Sequence, residues 1–503
     1  MLGHKAPHLV FDFNPTADSI RHKTDNIISQ ERFVFDKVAA CTQLAFENTI
    51  ATLAHHKNRF KSGARFIVLL QDVSISKDVR DTCVDAKHAL AVAMDVDYNS
   101  VASAFVNSAQ ESVMFENGEA LAKLFVFSEK TISILSSKLQ GVQDFEQYTV
   151  IMDNAVFAQF TAAYLEYVRD QPSISKEEGH KLLCRVVELF TAVISGTRGP
   201  WLVPAIRPIA VALCLSAGSV HNETRDPAVY AQSASLLLRL LIDLLSDTSN
   251  ALASSKKLGS PLVAGLLLQI SLRTIAAPGA YASKALEVKA FWKSPVFSQR
   301  DRIGYSYWLG RYYLVCYYVD LARVYLEYAF NTCPAWHYHN KRAILRHLIV
   351  ANMIRGRLPS RRLLEKYQME PVYLHLAYHF SKGNIAGFQQ ALVANIDFFR
   401  SQGNYLLLLE RTEILIYRNA LVRLCRLNSG TGRDSAVPYS NILVAFQLAS
   451  DNPGMDIFEM ESILTSLLSQ KFVRGYLFHH QRVLNLARTQ PFPLIYSGGT
   501  SAQ

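Results

Sequence analysis

Apolar residues recur along most of the chain with the 3.6-residue period of amphipathic helices. The clearest case spans residues 228–245, where leucines at positions 236, 237, 240, 241, 244 and 245 form one stripe and Arg239 and Asp243 fall outside it. The same periodicity predicts helices from Glu31 onward and over 101–139, 150–168, 179–194 and 261–275. Short runs rich in Gly, Pro, Ser and Asp separate these segments. The pattern therefore predicts helical hairpins stacked one on another.

One segment has the spacing of a tetratricopeptide (TPR)-like hairpin, in which small residues allow two helices to approach closely. The residues on that spacing are Leu309, Gly310, Tyr313, Ala322, Ala329 and Pro334. The predicted fold class is mainly α, a right-handed stack of TPR-like hairpins.

The pattern changes near the C-terminal end of the chain. A loop rich in Gly and Ser begins at Asn428, and two short apolar segments over 439–449 and 457–470 indicate helices. Residues 471–487 then have the pattern of strand, turn and strand, and no strand pattern precedes about residue 470. Two helices followed by a β-hairpin predict a winged-helix subdomain. The predicted organisation is an irregular lead-in (1–30), a helical array (31–300), a helical part (301–427), a winged-helix part (428–495) and a disordered tail (496–503).

Charge is concentrated in one part of the chain. Of the formal net charge of +10, an excess of nine lies between Lys341 and Arg426, where fourteen Lys and Arg accompany only five Asp and Glu. Such a localised excess of positive charge favours an anionic partner, either nucleic acid or an acidic protein. The 503-residue length exceeds one ordinary core, and 50% hydrophobic content with 19% charged residues is typical of a folded chain.

Several functional classes lack support in the sequence. Seven scattered cysteines without a C-x-x-C pair argue against a disulfide framework, and the first residues lack the pattern of a signal peptide, so we expect a reducing compartment. The most apolar window, 201–220, contains Pro204, Arg207 and Pro208. A pair of buried helices is the interpretation there, and no membrane insertion is expected.

Motifs for catalysis, nucleotides or metals are equally weak. Neither G-x-x-x-x-G-K-[ST] nor G-x-G-x-x-G occurs, and the G-x-S-x-G elbow is missing. His375 and His379 have the i, i+4 spacing of half a zinc site, but Leu376 stands where a zinc protease needs Glu. We therefore expect no enzyme activity, no cofactor and no metal.

The C-terminal part resembles a PCI domain, the helical-repeat and winged-helix module shared by the proteasome lid, the signalosome and a translation initiation factor. Within that family it is similar to the branch of the TREX-2 mRNA-export subunit and its signalosome-associated relative. The resemblance runs from about Tyr305 to Pro493. The matching residues are Leu309-Gly-Arg-Tyr-Tyr313, Tyr328-Ala-Phe330, Cys333-Pro334, Lys341-Arg-Ala-Ile-Leu-Arg346, Gly356-Arg-Leu-Pro-Ser360, Leu363-Leu364, Tyr367, Gly383-Asn384, Phe388, Tyr405-Leu-Leu-Leu-Leu-Glu-Arg411, Tyr417-Arg-Asn419, Gly475-Tyr476 and Pro491-Phe-Pro493.

The resemblance implies a non-catalytic scaffold in a nuclear hetero-oligomer, at or near the nuclear pore, that couples transcription to mRNA export. Its implied partners are a large export-scaffold protein, a small acidic protein shared with the proteasome lid, and RNA or DNA bound without sequence specificity. Two alternatives stay open: a signalosome-associated subunit acting in transcription or splicing with another PCI-type partner, and a lid-type structural scaffold that binds no nucleic acid.

The candidate nucleic-acid-binding residues are the long cations of the basic region and of the predicted wing, because each guanidinium can bind two phosphate oxygens. They are Lys341, Arg342, Arg346, Arg355, Arg357, Arg361, Arg362, Lys471, Arg474 and Arg482. Tyr476, His479 and His480 are candidates for contacting a partner protein through the wing. The aromatic residues between Tyr305 and Tyr318 have helical spacing, which favours core packing over a base-stacking platform.

Overall fold

The computed structural model describes residues 98–249, 251–273, 278–428 and 436–495. The predicted lead-in, the helical pattern that begins at Glu31 and the predicted tail after residue 495 lie outside the described residues. Within the described residues the chain is mainly helical, and one hydrophobic core runs from the first helix to the winged-helix subdomain.

The N-terminal half of the described chain is a stack of helices that pack on their neighbours in sequence. The helices are α1 (Tyr98–Met114), α2 (Gly118–Leu124), α3 (Glu129–Leu139), α4 (Glu146–Thr149), α5 (Ala155–Asp170), α6 (Lys176–Gly196), α7 (Val203–Thr224), α8 (Ala228–Leu245), α9 (Ser260–Ser271) and α10 (Pro278–Glu287). The apolar pattern over 101–139 thus covers three helices rather than one. Asn117 and Ser128 precede the second and third of them, and the Asn117 side chain accepts a hydrogen bond from Ala120 N.

Helices α7 and α8 are long and apolar enough to cross a membrane by length and composition alone. In the structure, 61% and 50% of their most apolar windows are buried within the helical stack, where α7 packs on α6 and α8. The expected pair of helices over 201–220 is wrong, because one continuous helix runs through Pro208. The expectation that the window is buried is confirmed by Ile206, Ile209 and Leu213, which are inaccessible to solvent.

The predicted TPR-like hairpin is formed by α11 (Gln299–Val315) and α12 (Val319–Thr332), which pack closely. A Cβ at Gly310 would lie 2.7 Å from Leu326 Cγ and 3.2 Å from the Ala322 carbonyl oxygen, so glycine is needed for this approach. Ala322 and Ala329 are fully buried in the same contact. Because α11 also packs on α9, the helical stack continues from the N-terminal array into the C-terminal part.

The remaining helices gather around one long helix. They are α13 (Tyr338–Ile354), α14 (Arg361–Lys366), α15 (Glu370–Lys382), α16 (Ile385–Ala394), α17 (Ile396–Ser401) and α18 (Tyr405–Asn428). Helix α18 contacts α13, α15 and α16 on one side and the winged-helix subdomain on the other. It therefore joins the helical stack to the C-terminal subdomain.

The winged-helix subdomain consists of β1 (Ala436–Pro438), α19 (Tyr439–Ser450), α20 (Ile457–Ser469), β2 (Gly475–Phe478) and β3 (Val483–Leu486). The predicted pair of helices and the hairpin are confirmed. Strand β1 was not predicted, since three residues are too few for an alternating pattern. It pairs antiparallel with β3 through Val437 and Leu484, giving the order β1-β3-β2. Both of these paired residues are buried.

Two histidines are enclosed in the helical stack. His347 on α13 is 1% exposed, and its Nδ1 accepts a hydrogen bond from Asn404 Nδ2 at 3.2 Å. Burial, together with the charges of Arg311 and Arg346, holds the pKa of His347 well below its usual value. Burial also lowers the pKa of His180, which lies near Ser216 and Ser233. Both imidazoles are therefore neutral in the folded protein at neutral pH.

Because these histidines are neutral in the folded protein, we expect mild acidification to lower its stability. In the unfolded chain each imidazole takes up a proton near pH 6.5, whereas the folded protein excludes that proton, so stability is present above pH 6.5 and falls as the pH decreases. His347→Gln should remove up to about 1.4 kcal/mol per pH unit of this decrease between pH 6.5 and 5. Urea unfolding at several pH values measures the slope. An unchanged slope in the His347 variant would contradict the prediction.

Candidate nucleic-acid interface

The first two candidate cations, Lys341 and Arg342 at the start of α13, bind backbone carbonyls. Lys341 Nζ donates a hydrogen bond to the Phe330 carbonyl oxygen at 2.9 Å and lies 4.5 Å from the Phe330 ring centre. Arg342 Nη2 donates to the Gln368 carbonyl oxygen at 3.1 Å. Both side chains are half-buried. These hydrogen bonds join α13 to neighbouring segments, so fewer N–H donors of each cation remain for a phosphate.

Arg342 and Arg346 are four residues apart on α13, which places them on one face of that helix. Ile344 and Leu348 are buried in the core. Arg346 is half-buried, with Cζ 5.6 Å from the Phe398 ring centre, and it lines a cavity between helices. Burial and the charge of Arg342 lower the pKa of Arg346. The structure thus places Arg346 in a recess, apart from the most exposed cations.

Two candidates have carboxylate partners, although acidic residues are few in this part of the sequence. Arg355 Nε lies 2.9 Å from Asp320 Oδ1. Arg361 Nε lies 3.0 Å from Glu365 Oε1 and 3.8 Å from Glu370 Oε1. The Arg361 side chain is still 74% exposed, and ion pairs of this exposed kind contribute only about 0.3–0.5 kcal/mol. Arg361 can therefore exchange its carboxylate for a phosphate at little cost.

Arg357 and Arg362 are exposed on the turn between α13 and α14 and on the start of α14. The residues of the turn explain its geometry. Gly356 has φ of +73°, and Ser360 caps α14 by accepting a hydrogen bond from Leu363 N at 3.3 Å. Gly356 therefore fixes the end of α13 and Ser360 fixes the start of α14. These two positions determine where Arg357 and Arg362 lie.

The wing contributes three further exposed cations. Lys471 follows α20 with φ of +59°, Arg474 precedes β2, and Arg482 ends the hairpin turn with φ of +51°. The Arg482 carbonyl oxygen accepts a hydrogen bond from Tyr439 N at 2.9 Å, which fixes the turn against α19.

The turn that carries Arg357 and the wing base that carries Arg474 lie near each other, because the segment 491–495 contacts both. A Cβ at Gly356 would lie 2.5 Å from Ile495 Cδ1, and Arg474 N donates to the Pro491 carbonyl oxygen at 2.8 Å. Four residues span at most about 14 Å. We define the composite basic surface as Arg357, Arg361, Arg362, Lys471 and Arg474.

The residues proposed for partner contact differ in how free they are. Tyr476 on the edge strand β2 is 76% exposed, and His480 is exposed at the hairpin tip. His479 Nδ1 instead lies 2.8 Å from Glu461 Oε1, and this contact lowers the pKa of Glu461. His479 is therefore already joined to α20.

One of the fourteen cations counted in the basic region is buried. Arg418 is 9% exposed, Nε donates to the Phe472 carbonyl oxygen at 2.9 Å and Nη2 donates to the Pro493 carbonyl oxygen at 2.8 Å. This guanidinium connects α18 to the winged-helix subdomain, so the local charge excess overstates the charge available to a ligand.

The aromatic segment mainly forms core, as predicted. Tyr305, Tyr307, Trp308, Tyr312 and Tyr313 are buried. The two exposed members, Tyr317 at 44% and Tyr318 at 61%, lie in the turn between α11 and α12. A helical period does not extend past the end of the helix, so it could not place these two side chains.

Sequence reasoning missed a cluster of arginines drawn from several helices. Arg273, Arg311, Arg346 and Arg400 line one cavity of about 260 Å³, together with Trp308. Only Arg346 among them was a candidate. Their separation in the sequence hides this arrangement, and no motif marks it. Groups of three or more His, Cys, Asp or Glu placed to hold a metal ion are absent from the part of the chain that the structure describes.

Comparison with known proteins gives a consistent set of relatives, although no family model matches the chain. A PCI domain-containing protein of Schizosaccharomyces pombe is 26% identical over 351 residues, which cover 66% of this chain and 79% of that protein. The PCI domain-containing protein 2 homolog of Caenorhabditis briggsae is 33% identical over 204 residues, covering 40% of this chain and 47% of that protein.

PCI domain-containing protein 2 of Xenopus laevis is 23% identical over 400 residues, covering 77% of this chain and 96% of that protein. The matches to the nematode protein thus span about half of its length, whereas those to the frog protein span nearly all of it. The helical stack that ends in a winged helix agrees with these names. These matches support a PCI-domain protein of the PCI domain-containing protein 2 type.

Proposed function

We propose that this chain is a non-catalytic scaffold subunit of a TREX-2-like nuclear complex that couples transcription to mRNA export. In this proposal it binds RNA or DNA without sequence specificity, together with a large export-scaffold protein and a small acidic protein. The composite basic surface carries the proposal. Its five cations are exposed, and the segment 491–495 connects the turn that carries Arg357 to the wing base that carries Arg474.

The chemistry of this surface suits a phosphate backbone better than a base edge. Guanidinium groups bind two phosphate oxygens at once, and phosphate contacts carry no sequence information. The aromatic side chains that would stack on bases are mostly buried in α11. The surface is therefore proposed to contribute affinity that depends on salt, with sequence or site selection supplied by the partners.

A salt titration on single-stranded RNA tests the proposal. Four to six phosphate contacts predict a slope of log K against log[salt] of about −3 to −4, because each contact contributes about −0.7. Changing Arg362, Lys471 and Arg474 together to Gln should reduce the magnitude of the slope by about 2 and lower the affinity about a hundredfold near 0.1 M salt. Fluorescence anisotropy of the purified complex provides both values.

Arg239→Gln is the matched control, since Arg239 is an exposed arginine on α8 in the N-terminal stack. It should change neither slope nor affinity. Absence of RNA binding, with retained binding of the small acidic protein, would favour the lid-type structural scaffold instead. Identification of a different PCI-type protein as the co-purifying large partner would favour the signalosome-associated alternative.

A further inference from the structure

The arginine-lined cavity between the N-terminal stack and the last helices has the composition of an anion site. Arg273 follows α9, Arg311 lies on α11, Arg346 on α13 and Arg400 on α17. Asp and Glu are absent from the described residues that line it. Four cations brought together by four separate elements repel one another unless an anion compensates them. Among them, Arg273 donates a hydrogen bond from Nη1 to the Tyr230 hydroxyl oxygen at 3.2 Å.

Aromatic rings lie beside three of the four guanidinium groups. Arg311 Cζ lies 5.0 Å from the Trp308 ring centre, Arg346 Cζ 5.6 Å from Phe398, and Arg400 Cζ 5.5 Å from Tyr405. Stacking of this kind orients a guanidinium and leaves its N–H groups available at the edge. Within the described residues, the guanidinium groups of Arg346 and Arg400 make no hydrogen bond and no ion pair.

The pKa of a neighbouring histidine reflects the positive charge around the cavity. The charges of Arg311 and Arg346 help to lower the pKa of the adjacent buried His347. Gln269, which is 3% exposed, also lines the cavity, and its Oε1 has no partner among the described residues. Rotation of that amide presents N–H donors to the same space. The cavity thus offers both fixed charge and an adaptable polar group.

We propose that this cavity binds a compact anion that carries two or more phosphate groups. Its volume of about 260 Å³ is just below the range of roughly 300–1,000 Å³ that is usual for small-molecule sites. Planar, doubly donating guanidinium groups match phosphate oxygens. The ligand would join the N-terminal stack to α13 and α17, because its contacts come from both parts. The residues that line this cavity differ from those of the composite basic surface.

Titration of the full chain with tripolyphosphate by isothermal calorimetry tests the proposal. We expect one binding event that weakens with added salt. Arg400→Gln, at an exposed position, should weaken binding about tenfold, and the double variant with Arg346→Gln about a hundredfold. Arg239→Gln on α8 should leave the affinity unaltered. Circular dichroism verifies that each variant is folded.

Two outcomes would overturn the proposal. One is the absence of tripolyphosphate binding by the folded wild-type chain. The other is binding of single-stranded RNA without binding of tripolyphosphate, if the Arg346 and Arg400 changes abolish that RNA binding. The cavity would then be part of the nucleic-acid-binding surface. The triple Gln variant at Arg362, Lys471 and Arg474 should retain tripolyphosphate binding. A variant that loses RNA binding but still binds tripolyphosphate therefore distinguishes the two proposals.

Discussion

Gly383→Ala is expected to lower the free energy of unfolding by about 2–5 kcal/mol. Gly383 ends α15 with φ of +70°, a left-handed conformation that costs a residue with a Cβ about 1–2 kcal/mol. An added Cβ would also lie 2.4 Å from Ala420 N and 2.6 Å from Ala420 Cα. These are backbone atoms in the middle of α18, so neither can move aside as a flexible side chain would. Overpacking of this kind adds about 1–3 kcal/mol. Urea unfolding followed by circular dichroism measures the change.

Gly403→Ala separates the two contributions. Gly403 has φ of +71°, but no atom lies within 4 Å of the position its Cβ would take. The control should therefore lose only about 1–2 kcal/mol, from the backbone conformation alone. Equal losses in the two variants would show that the contact between Gly383 and Ala420 contributes nothing.

Gly383 also shows which features were predictable from the sequence. The pair Gly383-Asn384 indicates a left-handed helix end followed by a cap, and the Asn384 side chain accepts a hydrogen bond from Gly387 N at 2.8 Å. Helix ends, caps and apolar stripes depend on residues within a few positions of one another. The sequence therefore predicted the helical stack and the two helices of the winged-helix subdomain.

The candidate site was less predictable, because the residues that surround the candidate cations come from distant parts of the chain. The Arg355 partner, Asp320, lies on the preceding helix α12. The cavity of Arg311, Arg346 and Arg400 is assembled from three helices. A count of charges along the sequence assigns all arginines equal exposure, whereas tertiary packing decides which remain in solvent. Four of the ten candidate cations are consequently half-buried, and the composite basic surface includes five of the six that are exposed.

Arg418 is the strongest case of a cation that packing removes from solvent, and it provides the second large prediction. Arg418→Met is expected to destabilise the junction between α18 and the winged-helix subdomain by about 2–4 kcal/mol. Methionine retains much of the buried volume but leaves the carbonyl oxygens of Phe472 and Pro493 without the donors that Arg418 supplies. Each loss of a donor to a partly buried carbonyl costs about 1–3 kcal/mol, and removal of the buried charge offsets part of the total.

Hydrogen exchange locates this effect, because Arg418 contacts the two segments that flank the hairpin. The amides of Arg474 and Ala487, which donate to Pro491 and Arg474 respectively, should exchange faster in the Arg418→Met variant than in the wild type. Amides in α6, far along the helical stack, should be unaffected. Arg423→Met changes an exposed arginine on the same helix and should alter neither set. Unaltered exchange of the wing amides in the Arg418 variant would mean that other contacts hold the subdomain in place. It would also mean that the composite basic surface does not depend on this guanidinium.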